Sequence, residues 1–166
     1  MSEARLEDGV PQTAGWFVVN ARDVPWMRND MRTLARFGGQ GEAHFDDLGI
    51  GLYWLEPGQP MSMYHHERGQ EDFLVLRGRA LAIVEGEERP LRTWDLLHCP
   101  SRTPHTIVGA GDEPTLILGV GARLEKGSAR YPVEPAAVRH GAGVEEGEEP
   151  YARFGRPERC PPPDAF

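Results

Sequence analysis

Glycine and proline restrict the fold of this chain more than any other feature, because together they make up about one residue in five. There are 20 Gly and 15 Pro among 166 residues. Inside a helix, Gly costs about 1 kcal/mol and Pro about 3 kcal/mol relative to Ala, so helix bundles and coiled coils are disfavoured. Hydrophobic residues make up 39% of the chain, which is enough for a core. The composition predicts one all-β domain.

Short apolar runs separated by turn residues fill the sequence between residues 48 and 120. The separators contain Gly, which adopts positive φ without strain, or Pro, which lacks the amide hydrogen that a sheet needs. Strand-length runs at a spacing of roughly 8–12 residues are typical of a β-sandwich or a β-barrel. The predicted strands cover residues 48–55, 73–76, 80–84, 94–99, 106–108 and 115–120.

The segments on either side of these strands differ from them in composition. Residues 1–45 contain one apolar stretch, residues 16–19, beside polar sequence, and we expect them to form an N-terminal arm. Residues 46–124 then form the β-barrel. Residues 125–166 are rich in Pro and Glu. This composition predicts an extended C-terminal tail that packs on the barrel over part of its length.

Charge and hydropathy disfavour two classes of partner. The formal net charge is -8, and no run of Lys and Arg marks a surface for nucleic acid or for anionic lipid. No stretch of about 18 apolar residues predicts a membrane span, and the acidic opening residues do not resemble a signal peptide. We therefore expect a cytoplasmic protein without nucleic-acid or membrane partners, in which Cys99 and Cys160 are reduced thiols.

Imidazoles and carboxylates are concentrated in the middle of the chain. Four of the six His lie between positions 65 and 105, and three acids lie close to the first two of them. Imidazole and carboxylate together suit divalent transition metals such as Fe, Mn, Ni and Zn. The residues concerned are His65, His66, His98, His105, Glu67, Glu71 and Asp72.

The alternation of a strand determines which residues before Glu71 share a face. Residues two apart share a face, so either Tyr64 and His66 or His65 and Glu67 point into the barrel, but not both pairs. The same rule places His98 and Cys99 on opposite faces of their strand.

Two motifs between Pro57 and His105 resemble those of the cupin superfamily. Pro57-Gly58, Glu71 and Gly78 fit the first motif, and Asp95, Pro100 and His105 fit the second. The surrounding strands extend the resemblance over residues 48–120, about half of the chain. The resemblance implies a double-stranded β-helix barrel, a bound divalent metal and pairing into homodimers, with residues 16–19 as an exchanged strand.

The resemblance also implies a ligand set. In a group of small bacterial cupins that the sequence resembles, the pair before the Glu has the His-x-Glu register, which favours His65, Glu67, Glu71 and His105 as metal ligands. The chain departs from the family at Trp94 and Arg102, which stand where cupins have Gly. Neither departure removes a ligand.

We therefore predict a metal-dependent enzyme that acts on a small organic molecule by oxygenation, isomerisation or lyase chemistry. The cofactor is a divalent transition metal, namely Fe, Mn, Zn or Ni, and His66 or Asp72 is the candidate proton carrier. The alternative is a non-catalytic cupin that binds a small ligand or only dimerises, without a required metal.

Overall fold

The computed structural model describes residues 1–124 and 127–164, and β-strands dominate this part of the chain. Its helices are one 3-10 turn, Gly41–Ala43, and the five-residue α1, Pro135–Arg139, so none of them is long and apolar enough to cross a membrane. The strands are β1 (Leu6–Glu7), β2 (Val10–Pro11), β3 (Trp26–Arg28), β4 (Thr33–Phe37), β5 (Leu48–Leu55), β6 (Glu71–Arg77), β7 (Arg79–Val84), β8 (Glu87–Arg92), β9 (Leu96–Cys99), β10 (His105–Ala110), β11 (Thr115–Ala122) and β12 (Glu158–Cys160).

Two antiparallel sheets build the barrel. The larger sheet has the strand order β12-β3-β4-β5-β11-β6-β9, and the smaller one has the order β10-β7-β8. Strands β1 and β2 form a separate two-stranded pair. The antiparallel barrel predicted from the turn-rich composition is confirmed.

The main core lies between the two sheets and takes residues from both. Its side chains come from alternate positions of neighbouring strands, as expected for strands with one face turned inward. Because these side chains are almost completely buried, each of the Leu, Ile, Phe and Met side chains contributes roughly 1.5–3 kcal/mol to folding. The core residues are Leu55, Met61, Phe73, Ala80, Cys99, Ile107 and Ile117.

The six predicted strands correspond to β5, β6, β7, β9, β10 and β11, with two differences. Strand β9 begins at Leu96, because Trp94 lies in a turn with φ of 74°, outside the range of a strand. Strand β8 was not predicted. Its sequence is polar and contains Pro90, and as an edge strand it leaves one side unpaired.

Both flanking segments contribute strands to the larger sheet. Strands β3 and β4 come from residues 1–45, and β12, from the C-terminal segment, pairs with β3. Helix α1 packs through Ala136 and Ala137 on the smaller sheet. The division into an arm, a barrel and a tail stays a prediction. Residues 125, 126, 165 and 166 of the predicted tail lie outside the described residues.

Candidate metal centre

Two histidines from separate segments face each other at one end of the barrel. His105 begins β10, and His65 lies in the connection between β5 and β6. Their backbones pair: the His65 amide donates to the His105 carbonyl at 3.1 Å, and the His105 amide donates back at 2.8 Å. The ring centroids are 5.1 Å apart. Backbone pairing thus brings together two imidazoles that are forty residues apart in sequence.

Each imidazole is oriented by a backbone carbonyl two residues earlier. His65 Nδ1 lies 2.8 Å from the Met63 carbonyl oxygen, and His105 Nδ1 lies 2.9 Å from that of Thr103. In a neutral imidazole, an Nδ1–H that donates to a carbonyl leaves the lone pair on Nε2. This is the arrangement by which metal-binding histidines are usually oriented.

Glu71, the first residue of β6, completes the cluster. Its Oε2 lies 3.5 Å from His65 Nε2 and 3.3 Å from His105 Nε2. Among the described residues, these are the three metal-ligating side chains whose donor atoms all lie within 4.8 Å of one another. His105 Nε2 is buried and has no hydrogen-bond partner in the same part of the chain.

Burial and the neighbouring carboxylate act in opposite directions on the two imidazoles. Desolvation lowers the pKa of His65, but the hydrogen bond and charge of Glu71 outweigh it, so this pKa is raised above its ordinary value. For His105, desolvation prevails and the pKa is lowered. Burial raises the pKa of Glu71, yet His65 and His105 together outweigh burial and lower it. Glu71 is therefore ionised at neutral pH.

The predicted ligand Glu67 lies near this cluster but outside it. Burial and the negative charge of Glu71 raise the pKa of Glu67, which indicates that the two carboxyl groups are neighbours. The backbone carbonyl of Glu67 accepts a hydrogen bond from the Arg102 amide at 2.7 Å. The structure thus brings together His65, Glu71 and His105, and places Glu67 beside them.

The alternative pair, Tyr64 and His66, points away from the cluster. Tyr64 is buried against the smaller sheet and helix α1, and its hydroxyl accepts a hydrogen bond from the Gly86 amide at 3.2 Å. His66 pairs through its backbone with Arg130 and lines a small recess beside Glu67. The strand alternation that left two registers open in the sequence turns His65 inward.

Asp72, His98 and Cys99 occupy the two faces of the sheet as their alternation predicts. Asp72 accepts a hydrogen bond from His98 Nδ1 at 2.6 Å on the outer face, so the prediction of Asp72 as a proton carrier at the site is wrong. Cys99 is buried in the core. Burial, followed by the charges of Glu71 and Asp72, raises its pKa to about 12.

One residue at the site was missed by the sequence reasoning. The ring of Tyr131 stacks on His65 with the centroids 5.8 Å apart, and it meets Tyr151 edge-on at the same distance. Burial, with a further contribution from Tyr151, raises the pKa of Tyr131, which is therefore a neutral phenol. In the sequence, Tyr131 was only an isolated aromatic residue in the predicted tail, sixty-six positions after His65.

Comparison with known proteins agrees with the fold and the motifs. A family model described as a cupin domain matches residues 51–121. The polyketide cyclase RemF from Streptomyces resistomycificus superposes with a TM-score of 0.61 at 15% identity, over 75% of this chain and 93% of that one. A cupin-like protein from Thermotoga maritima gives a TM-score of 0.56 at 19% identity, over 74% and 90%. Residues 51–121 of the chain form a domain of the cupin superfamily. The predicted double-stranded β-helix fold is confirmed.

Two relatives are more similar to this cupin in sequence but over shorter stretches. A sugar phosphate isomerase of the cupin superfamily from Silicibacter pomeroyi is 27% identical, with a TM-score of 0.50, over 57% of this chain and 60% of that one. An uncharacterized protein from Methanocaldococcus jannaschii is 30% identical over 61 residues, which span 37% of this chain and 49% of that protein. The match thus covers about half the length of the curated relative.

A cavity of about 520 Å³ opens beside the cluster of His65, Glu71 and His105. Glu71 and Phe73 of β6 lie on one wall, and Tyr53 of β5 lies on another. The Phe73 ring packs against His105 with the centroids 5.3 Å apart. The volume lies within the range of small-molecule sites, which is roughly 300–1,000 Å³.

Proposed function

We propose that this cupin is a metal-dependent enzyme that acts on a small organic molecule in the cavity beside Glu71. His65, Glu71 and His105 bind one divalent transition metal, and Glu67 is the fourth ligand. One observation carries the proposal: two buried imidazoles, both oriented through Nδ1, direct Nε2 at the same carboxylate oxygen.

This donor set fits a divalent cation better than it fits the protein alone. His105 Nε2 is buried without a hydrogen-bond partner among the described residues, and burying an unpaired polar group costs about 1–3 kcal/mol. A metal between the three donor atoms would remove that cost. It would also offset the repulsion between Glu67 and Glu71. Two imidazoles with carboxylates suit Fe, Mn, Zn or Ni and leave room for a substrate.

A divalent metal held by His65, Glu71 and His105 would act as a Lewis acid toward a substrate oxygen. The residues around it exclude water and orient the ligands: Phe73 packs on His105, and Tyr131 covers His65. Of the two proton carriers predicted from the sequence, His66 stays a prediction, because it lines a separate recess that shares Glu67 with the cavity.

Among oxygenation, isomerisation and lyase chemistry, the comparisons favour isomerisation. The sugar phosphate isomerase from Silicibacter pomeroyi is 27% identical to this chain over 57% of its length. The likeness covers 60% of that protein, so it supports the type of reaction without defining the substrate.

Metal content tests the proposal directly. Protein purified without chelator should contain about one transition metal per chain by elemental analysis, and His65→Ala and His105→Ala should each remove it. His66→Ala is the matched control, because it changes the neighbouring imidazole, which points away from the cluster. Metal-free protein whose melting temperature is unchanged by EDTA would overturn the proposal and favour the non-catalytic alternative.

Glu67 needs a separate measurement. If Glu67 is the fourth ligand, Glu67→Gln should weaken metal binding at least as much as the loss of a residue that orients a ligand, which is about 10–100-fold, and Glu71→Gln should weaken it more. A Glu67→Gln variant that binds metal as tightly as the unaltered protein would limit the ligand set to His65, Glu71 and His105.

We also propose that the protein forms a homodimer through residues 16–19. Trp16 is 54% exposed and Val18 is 81% exposed in the single chain, and a second copy would cover these apolar side chains. Sedimentation equilibrium should give twice the chain mass, and Trp16→Ser with Val18→Ser should return the monomer. A monomeric unaltered protein would contradict this interface.

A further inference from the structure

We propose that the cavity beside Glu71 binds a small organic anion whose charged group is recognised by Arg36 and Arg123 at the mouth. The opposite end of the anion lies toward the metal, and for that end the inference rests on the proposed function. The anionic group is an oxyanion, either a carboxylate or a phosphate monoester.

The first support is a wall without side chains. Gly49 and Gly51 of β5 pair in register with Gly121 and Gly119 of β11, and all four line the cavity. Residues two apart on a strand share a face, so the four glycines lie together on the inner face of the sheet.

Backbone conformation does not explain these glycines. None of the four has a positive φ, so a side chain at these positions would not strain the backbone. Space inside the cavity accounts for part of the pattern. A Cβ on Gly119 would lie 2.9 Å from the Tyr53 ring, which is too close for packing, whereas a Cβ on Gly121 would make an ordinary 3.5 Å contact with Glu71 Cγ and would only fill cavity volume. Gly in a strand often marks the close approach of a ligand or of another backbone.

The second support is uncompensated positive charge at the mouth. Arg36 lies opposite Gly51 in the register of β4 and β5, and Arg123 directly follows β11. The Arg123 guanidinium contacts the ring of His44, and among the described residues neither arginine forms an ion pair with a carboxylate. In a chain with 26 acidic and 18 basic residues, unpaired arginines at a cavity mouth indicate a partner from outside the chain.

The other charges around the cavity leave this positive region in place. The cavity also contains Asp46, which is exposed at the rim, and Glu67 and Glu71, which belong to the proposed metal site. A third arginine, Arg32, lies over the ring of the lining residue Tyr53 at 5.6 Å. Bound metal would compensate the two glutamates, so the arginines would set the sign of the potential at the mouth.

Calorimetry at low ionic strength on the full metal-loaded chain tests the inference with three probes. Glycerol 3-phosphate carries a phosphate monoester, malate carries carboxylates, and glycerol is the neutral match. At least one anion should bind saturably and more tightly than glycerol, and the tighter of the two anions identifies the oxyanion. Arg36→Gln with Arg123→Gln should weaken that binding at least about tenfold, because the anion loses its charge-assisted hydrogen bonds to both guanidinium groups. Gly121→Ala should weaken it by reducing the space.

The control is Arg89→Gln, which removes an exposed arginine of β8 outside the cavity and should bind the anion as the unaltered protein does. Circular dichroism confirms that each variant is folded. Anion binding that survives EDTA and requires the two arginines would support the inference even if the metal proposal fails. The inference is wrong if neither anion binds better than glycerol, or if the double arginine variant binds the anion as tightly as Arg89→Gln does.

Discussion

The two ends of the barrel interior are built by the same strands and differ in what those strands contribute. Toward one end, β5 and β11 place Leu55 and Ile117 in the core, both completely buried. Toward the other end, the same two strands place glycines on the same inner face. We refer to these as the packed end and the open end. A change from aliphatic side chains to glycine along one strand face converts a core into a cavity.

The largest expected effect is a difference in the free energy of unfolding between a variant at the packed end and a variant at the open end. Ile117→Ala at the packed end should lower the free energy of unfolding by about 2–5 kcal/mol, because it leaves a cavity in a closed core. Gly121→Ala at the open end should cost nothing and should gain up to about 1 kcal/mol, since Ala restricts the unfolded chain. Urea unfolding measures both. Equal losses for the two variants would contradict the comparison.

The next effect concerns protons at the open end. Because the pKa of His65 is raised, its ion pair with Glu71 stabilises the metal-free protein below the ordinary histidine pKa, and this contribution is lost as pH rises through the raised value. A metal must displace that proton, so its affinity should increase with pH, by up to about tenfold per pH unit, and level off above the pKa of His65.

Melting curves between about pH 5.5 and 9, with EDTA and with saturating metal, measure this divergence. Stabilisation by metal should grow as pH rises. A constant difference between the two curves would show that His65 carries no proton in the metal-free protein.

A smaller effect is expected at a turn remote from the open end. Trp94 has a φ of 74° and is 72% exposed, so its side chain contributes little packing while its backbone is strained. Trp94→Gly should raise the free energy of unfolding by about 1 kcal/mol. Metal content should stay unchanged, because Trp94 pairs with Val75, at the far end of β6 from Glu71. A loss of stability would show that the indole packs on the chain.

The smallest effect is chemical, and it lies at the boundary between the two ends. Cys99 pairs in register with Glu71, and its pKa of about 12 leaves about one thiol in ten thousand ionised at pH 8. Ellman's reagent should therefore leave Cys99 unmodified in the native protein and react with both cysteines in urea. Rapid modification of Cys99 in the native protein would indicate that the core opens.

Local sequence predicted the barrel strands but made no prediction of their partners. Alternating or continuous apolar runs identified β5 to β7 and β9 to β11, because such patterns reflect burial of a strand face. Strand β8 lacks this pattern, since it is an exposed edge strand. The pairing of β3 with β12 joins residues near opposite ends of the chain, and no local pattern encodes such a contact.

The residues of the site also fall into two groups, those that the sequence suggested and those that only the structure shows. His65, Glu71 and His105 stand at motif spacings, so the sequence was sufficient to suggest them. Tyr131 and Arg123 reach the site from outside those motifs. The paired glycines were visible in the sequence, but only the register of β5 with β11 shows that they share one face of one cavity.

The distance along the chain between paired strands has a kinetic consequence. Strand β5 pairs with β11, and β3 pairs with β12, so much of the sheet depends on contacts between residues that are far apart in the sequence. Such contacts form slowly. His65 and His105 also meet only once β10 has docked. We therefore expect the His65–His105 pair to form late in folding, after the rate-limiting step. A metal bound there would leave the refolding rate nearly unchanged and would lengthen the lifetime of the folded protein by slowing its unfolding.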